Sequence, residues 1–597
     1  MSAVAAVVDR QSFDVARRLD RLAEVIRPFG RDGLRRWSDR HCGLVHAHLW
    51  TLPEDVQSVQ PLNSDGDGLH LIAEARLDNR EELNVLLRAD LPVSIPTDAQ
   101  LILAAYRRWD VECARRMVGD FAFVIWDARR QRVFAARDVF GTRPLFYAFR
   151  GSRLALASTM KAVIAAFDQP AELNREVVAE TARGTRTRWV HETAIAGVYR
   201  LPAAHALEAS LGGAPQLQRY YVLGSQPPDG LTTDAHWREA FTAAFEQSVR
   251  ARLRSQTPVV VLGGGGLDSS AVFCQAAALR QDGEPSPEVR LLSATFDRTP
   301  DADERQYLRA IGAQWPDASI DAVLCDDCLS TPTSESVEHG FEEPEVVHHP
   351  AMSKRLVRRV ASSGSRVILG GQGADLVLYS GSYENPQVLH DWPIWDRLRE
   401  LRSFRVPRWR MLTELTAGRI ERVLRPRRPI PMLPPPALST WCAWIGYRGL
   451  CAGPAAGYAG WRSALGLNAG VDMRFPFLDR PLAELLLSMP MSMRCRAGES
   501  KFLLRTALDP ILPELVRRRV GKSWFDQLVL DGLLKEQEGV QRMIGASRLV
   551  EEGLIDHRLI LGRWKRFQAR PAFDVALPVL WFCLTERWLR RFRAGVL

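Results

Sequence analysis

Residues 261–272 read VLGGGGLDSSAV, and this stretch fixes the architecture of the larger part of the chain. Three valines, Val259, Val260 and Val261, lead into it, and AVFCQAAALR (271–280) comes next with the make-up of a helix. The pattern predicts a buried strand ending at Leu262, a glycine turn, and a helix starting near Asp268. Glycines at such a turn let backbone N–H groups close around an anion, and the helix N-terminus adds partial positive charge. Ser269 and Ser270 can donate hydroxyls to phosphate oxygens. The spacing is not that of a Walker loop, since GxxxxGK[ST] is absent. Contiguous glycines followed by an Asp do not make a dinucleotide fingerprint either. A carboxylate at Asp268 beside a polyphosphate requires a cation such as Mg2+ between them. A glycine turn with no ligand is the plainer alternative.

Beyond the loop, HWREAFTAAFEQSVRARL (236–253) has helical character, and PVVVL (258–262) and SRVILGG (365–371) are short buried-strand runs. Strand, helix and strand in alternation predict an α/β domain over 235–597, with a doubly wound parallel sheet covered on both faces. Residues 1–210 differ. LHLIAEARL, FAFVIWD, RVFAARD and LFYAF are short apolar or alternating runs separated by turn residues, as in stacked antiparallel sheets. Residues 211–234, with Gly, Pro and Ser, are expected to link the two. Within the second domain, 405–436 is rich in Arg and Pro with little periodicity. It is expected to be a mobile loop or a cover over a substrate groove.

The 597 residues are 46% hydrophobic and 25% charged, which argues against global disorder. The net charge of +9 is carried mostly by Arg and gives no reason to expect a nucleic-acid surface. The apolar start MSAVAAVV is short and has no basic leader, so no signal peptide is expected. The apolar run near Val575 to Leu584 is too short for a membrane span and contains Pro578, which favours a core helix. Of nine cysteines only Cys325 and Cys328 form a CxxC, with no second pair. Free thiols in a cytoplasmic protein are the expectation.

GGGLDSS resembles the SGGLDSS pyrophosphate loop of asparagine synthetase-type ATP pyrophosphatases, with Gly264 where the family has its first Ser. Further matches come in the family order. GGQGADLVLYSG (370–381) is similar to GEGADELFGGY, DMRFPFLDRPLAELLLSMP (472–490) to VRVPFLDHRLVEFALSLP, and ESKFLLRTAL (499–508) to a KYLLREA segment. The resemblance implies ATP and Mg2+ as cofactors. Asp268 and Asp375 would hold the metal. Leu262, Gly264, Gly265, Gly266, Ser269, Ser270, Ala294, Gly370 and Gly371 would line the nucleotide. Lys522, in VGKSWF, would approach the phosphates and the reacting acyl centre. Lys501 has less support, and a solvent-facing helix position is the alternative.

The front half resembles the glutaminase domain fused to these synthetases, an αββα sandwich of the N-terminal-nucleophile hydrolase type. MSAVAAVVD aligns with MCGIAGIVD, and GDFAFVIWD with ARDVFGTRPLFY aligns with GDFAFALWD and ARDRFGIKPLYY. The departures fall at the glutamine site. Ser2 replaces the nucleophilic Cys, a change that alone is not decisive. His48 stands where the family has the Arg that binds the glutamine carboxylate. Glu74 and Ala75 replace an Asn and a Gly, while Asp98 is retained. A carboxylate at Glu74 would oppose a developing oxyanion, so no glutaminase activity is expected.

If glutamine supplies no ammonia, the resemblance points to relatives that close an amide within one substrate. Gln372 replaces the Glu of GEGAD and Leu376 the last acid of GADE. The Tyr that β-lactam synthetases carry at position 372 is absent. The expectation is therefore a lasso peptide macrolactam synthetase, with a lasso core peptide as substrate, a leader peptidase as partner, and no nucleic acid. An ammonia-dependent asparagine synthetase, another natural-product amide synthetase and a scaffold pseudoenzyme are the alternatives. In the acidic stretch ESVEHGFEEPEVVHHP (335–350), Glu342, Glu343 or Glu345 would bind the incoming ammonium, or else the stretch is a solvated loop. His348 and His349 are too close in sequence for one metal and are assigned no role.

Overall fold

A computed structural model describes residues 2–11, 14–64, 66–91, 95–185, 191–224, 227–283, 286–330, 342–344, 349–378, 446–447, 449–450, 466, 468–496, 499–521, 523 and 525–595. The segment 405–436 lies outside the described residues.

Among the described residues, the front half contains twelve strands: β1 (Ala3–Asp9), β2 (Gly33–Ser38), β3 (Cys42–His48), β4 (Leu62–Ser64), β5 (Leu69–Leu77), β6 (Gly119–Asp127), β7 (Arg132–Arg137), β8 (Phe146–Arg150), β9 (Arg153–Ala157), β10 (Tyr199–Arg200), β11 (His205–Ser210) and β12 (Gln216–Arg219). They form two six-stranded sheets, ordered β10-β8-β9-β1-β3-β2 and β12-β11-β7-β6-β5-β4. Strand β1 shows why the sheets stack. All seven of its residues are buried. Ala3, Ala5 and Val7 share a core with the helix Val15–Ile26, whereas Val4, Ala6 and Val8 share one with Val124 and Trp126 of the facing sheet. Alternate residues of a strand point to opposite faces, so a strand that is apolar from Ala3 through Val8 needs a covering layer on each side. The helix Asp98–Trp109 closes the far face of the second sheet. The result is the expected αββα sandwich. Its second sheet ends on β12, which pairs with β11 and therefore runs past residue 210 into the segment expected to be a linker.

The second domain is built on β13 (Val259–Leu262), β14 (Val289–Thr295), β15 (Ser319–Leu324), β16 (Val367–Gly370) and β17 (Asp472–Arg474). Their order is β15-β14-β13-β16-β17, and all four pairings are parallel. The chain first builds outward from β13 through β14 to β15, then returns to the other side of β13 with β16. In such sheets the crevice for a ligand opens at the carboxyl ends of the strands where the order reverses. Here that crevice lies between the ends of β13 and β16, and both ends run into glycines.

The halves share substantial core. The helix Phe573–Arg593, with Pro578 inside it, packs against the front-half helix Arg175–Arg183, and Val579, Phe582 and Trp588 join the core that contains Val178 and Ala182. No described helix is long and apolar enough to cross a membrane.

Candidate functional site

At the switch point, Leu262 ends β13 in register with Gly370 on one side and Leu292 on the other. The helix Leu267–Gln281 begins directly after the glycines, with Asp268 in its first turn. Ser270 is fully buried and donates to the Gly264 carbonyl at 3.0 Å, while Ser269 donates to the Gly266 carbonyl at 3.2 Å. These bonds fold the loop back over the helix start. The glycines are required by close approach. A Cβ on Gly371 would lie 2.7 Å from the Ser269 nitrogen and 3.0 Å from the Asp268 Cβ, so the two glycine segments touch backbone to backbone. Ala294 sits near the end of β14, buried and paired in register with Val323.

Asp375 enters from the short helix Ala374–Val377, which follows Gly373 in a left-handed conformation at φ 96°. The expected metal carboxylates, Asp268 and Asp375, converge on one cation, the ammonium of Lys501. Its Nζ lies 2.6 Å from each oxygen of Asp268 and 2.7 Å from Oδ1 of Asp375. This corrects the alternative that Lys501 faces solvent, since the residue is 8% exposed. Burial pushes its pKa down, but the two carboxylates more than offset this and hold it above the ordinary lysine value.

The loop also carries an anion of its own. Gly265 N–H donates at 2.9 Å to Oε2 of Glu304, which is itself held by Arg519 at 2.6 Å. Arg519 lies over the Tyr307 ring at 4.4 Å and donates to Ser523 Oγ at 2.7 Å. Arg519 thus reaches the glycine loop through Glu304 and holds Ser523, while Lys522 itself lies outside the described residues. Glu304 and Arg519 are not legible as site residues in the sequence, because neither falls in a motif whose spacing carries chemistry. Gln372, next to Gly371, has its Oε1 buried with no hydrogen-bond partner among the described residues.

These groups fit Mg-ATP. Mg2+ commonly takes one or two carboxylates plus phosphate oxygens, which matches a pair of Asp side chains converging on a cation. A loop N–H that already donates to a carboxylate, at the start of a helix, is suited to phosphate. No group of three or more His, Cys, Asp or Glu among the described residues forms an all-protein metal cage. Cys325 and Cys328 are buried and not joined by a disulfide.

The front-half residues expected at a glutamine site are engaged within the protein. The Ser2 hydroxyl is engaged by Leu49, donating to its carbonyl at 3.3 Å and accepting from its N–H at 3.0 Å. His48 is buried against the Gln60 carbonyl at 3.1 Å, and burial lowers its pKa, favouring the neutral ring. Asp98 accepts from the Leu77 N–H and from Arg80, each at 2.9 Å. Glu74 accepts from Arg143 at 2.6 Å, and the same guanidinium reaches Asp472 of β17 at 2.5 Å. Ser2, His48, Glu74, Asp98, Arg143 and Asp472 line one cavity. Its wall is therefore completed by the second domain.

The acidic stretch does not present an ammonium site in its described part. Glu342 is buried against the N–H groups of Met160 and Lys161, and Glu343 pairs with Arg200 and accepts from the Ala194 N–H. Both fasten this stretch to the front half. Glu345 and His348 lie outside the described residues, and His349 packs its ring edge-on to Phe525 at 5.6 Å.

Comparison with known proteins agrees with this layout. Residues 240–590, more than half of the chain, match the asparagine synthase family, and residues 1–221 match the glutamine amidotransferase domain. The chain is 27% identical over 347 residues to amidase chyE of Penicillium rubens, covering 56% of this chain and 50% of that one. It is 25% identical over 407 residues to amidase chry2 of Gibberella zeae, covering 65% of this chain and 59% of that one. A glutamine-hydrolyzing asparagine synthetase of Bacillus subtilis is 25% identical over 535 residues, covering 83% and 82%. The matched region thus spans only about half the length of the first two relatives. With its glycine loop and carboxylate pair at the switch point of the parallel sheet, the chain belongs to the asparagine synthase family.

Proposed function

We propose that this protein is an ATP-dependent carbon–nitrogen ligase that forms an amide through an acyl-adenylate. The observation that carries the reading is the convergence of Asp268 and Asp375 beside a glycine loop at the carboxyl ends of β13 and β16. Mg-ATP, when bound, supplies an α-phosphorus open to attack and pyrophosphate as leaving group. A substrate carboxylate oxygen would attack that phosphorus, the bond to the β-phosphate bridging oxygen would break, and pyrophosphate would depart. An amine would then attack the acyl carbon, expel AMP and lose one proton. The protein's part is to hold and orient. Ser269 and Ser270 shape the loop, and Lys501 and Lys522 bear charge.

The amine is not expected to come from glutamine, because Ser2, His48, Glu74 and Asp98 are all engaged within the protein. That supports a finer reading: a macrolactam synthetase that activates an Asp or Glu side chain of a lasso core peptide and closes it onto the peptide's N-terminal amine, alongside a leader peptidase. Placing the acceptor amine and the acyl group on one molecule supplies by proximity what a second substrate would otherwise bring. The test offers Mg-ATP with aspartate and ammonium, with aspartate and glutamine, or with a linear core peptide and its leader peptidase. Products are read by mass spectrometry. Peptide lighter by one water supports the macrolactam reading, and asparagine in its place overturns it in favour of an ammonia-using synthetase.

A further inference from the structure

Lys501 does more in this structure than line a charged crevice. It caps the helix Phe502–Ala507 from a left-handed backbone conformation at φ 55°, which a residue with a Cβ disfavours. The surroundings impose it. Arg505 N–H donates to the Lys501 carbonyl at 3.1 Å, and the Arg505 guanidinium grips the carbonyls of Ser500 at 2.7 Å and Arg519 at 3.0 Å. The backbone is thus clamped so that the side chain reaches inward. Its Nζ then contacts three carboxylate oxygens at 2.6–2.7 Å, both of Asp268 and one of Asp375. Mg2+ bonds to carboxylate oxygens at about 2.0–2.1 Å. A metal on those same oxygens would sit against the ammonium, so the two cations compete for them, although the Asp375 side chain is half exposed.

We propose that Lys501 is a positioning residue that serves as a resident counter-cation of Asp268 and Asp375, so that a divalent metal gains the oxygens it holds most readily together with a polyphosphate that draws the ammonium away. The inference rests on the ATP reading of the site. It assigns Lys501 the task of keeping the two carboxylates together without metal and of coupling metal binding to nucleotide binding. Such coupling is reciprocal: metal and nucleotide each raise the affinity for the other by the same factor.

The test is Mn2+ binding to the full chain, followed by electron paramagnetic resonance, with and without an α,β-methylene analogue of ATP that cannot be adenylated onto a substrate. In the wild type, Mn2+ alone is expected to bind at least about 100-fold more weakly than with the analogue. Lys501→Gln should tighten binding of Mn2+ alone by about tenfold or more, and adding Asp375→Asn should remove the gain. Lys501→Arg keeps the buried charge and should exclude Mn2+ as the wild type does. Equal binding of Mn2+ alone to wild type and Lys501→Gln overturns the inference, as does tight binding to Lys501→Arg. Wild-type Mn2+ affinity within about threefold with and without analogue overturns it without recourse to any variant. Failure of the wild type to bind the analogue with Mn2+ would instead sink the ATP reading, and the inference with it.

Discussion

Replacing Arg143 by Ala should separate the two halves energetically. Arg143 is 3% exposed and joins Glu74, 5% exposed, to Asp472, 2% exposed, across the boundary between the front sandwich and β17. Asp472 keeps a second guanidinium, that of Arg474 at 2.8 Å, which also holds the carbonyls of Arg252 and Arg254. The substitution therefore leaves Asp472 partly compensated and removes the Arg143 guanidinium from Glu74. Breaking a buried pair by removing one partner typically costs about 3–5 kcal/mol. For a unit of about 150–250 residues, the size of the front half, each kcal/mol lowers the melting temperature by roughly 2–4 °C, so a fall of about 6–20 °C is expected. Differential scanning calorimetry reads this directly. Adding Glu74→Ala should restore part of the loss, with a coupling of about 0.5–3 kcal/mol. A fall below about 2 °C, or strict additivity of the two changes, would refute the idea that this ion web holds the domains together.

Asp268→Asn and Asp375→Asn should each lower substrate-dependent pyrophosphate release by about two orders of magnitude or more while leaving the far-ultraviolet circular dichroism unchanged. Introducing a thiol with Ser2→Cys should yield no glutamate from glutamine, because the family resemblance puts Glu74 where an oxyanion donor is needed and His48 where an Arg would bind the glutamine carboxylate; measurable glutamate would contradict this reading of the front site. Burial raises the Glu342 carboxyl from its ordinary 4.5 to about 7, partly countered by the N–H groups of Met160 and Lys161. The folded state then keeps a proton that the unfolded chain has released, so this group's contribution to stability falls as pH rises from about 4.5 to about 7. Glu342→Gln should flatten that part of the pH–stability profile, and an unchanged slope would show that Glu342 is not its source.

Much of the fold and site is legible in the sequence, for reasons that differ by element. The glycine loop and Asp268 can be placed because a strand that runs into a helix through glycines leaves few geometries for the turn between them, whereas Asp375 is placed only by the family resemblance of GGQGADLVLYSG. The sandwich can be placed from strands such as GDFAFVIWD, whose apolar alternation has two faces to satisfy. The end of the second sheet escapes such reading because QLQR (216–219) is an edge strand, half exposed and polar, and so looks like a linker. Lys501 is ambiguous in the sequence because its direction depends on a left-handed cap rather than on helical periodicity. Arg143 and Asp472 lie 329 positions apart, and nothing in either local pattern announces a partner at that distance. Glu342 and Glu343 look like ligands for an amine because acidity is visible in a sequence, whereas the N–H groups and arginine that consume it are not.

Activation of a carboxylate with Mg-ATP in the switch-point crevice can be measured as pyrophosphate release by the full chain given Mg-ATP and a carboxylate substrate, with mass spectrometry for AMP and the amide product. Pyrophosphate and AMP are expected in equal amounts, strictly dependent on the substrate and lost in Asp268→Asn. ADP and phosphate as products, or substrate-independent release that survives Asp268→Asn, would show that the crevice does not work this way.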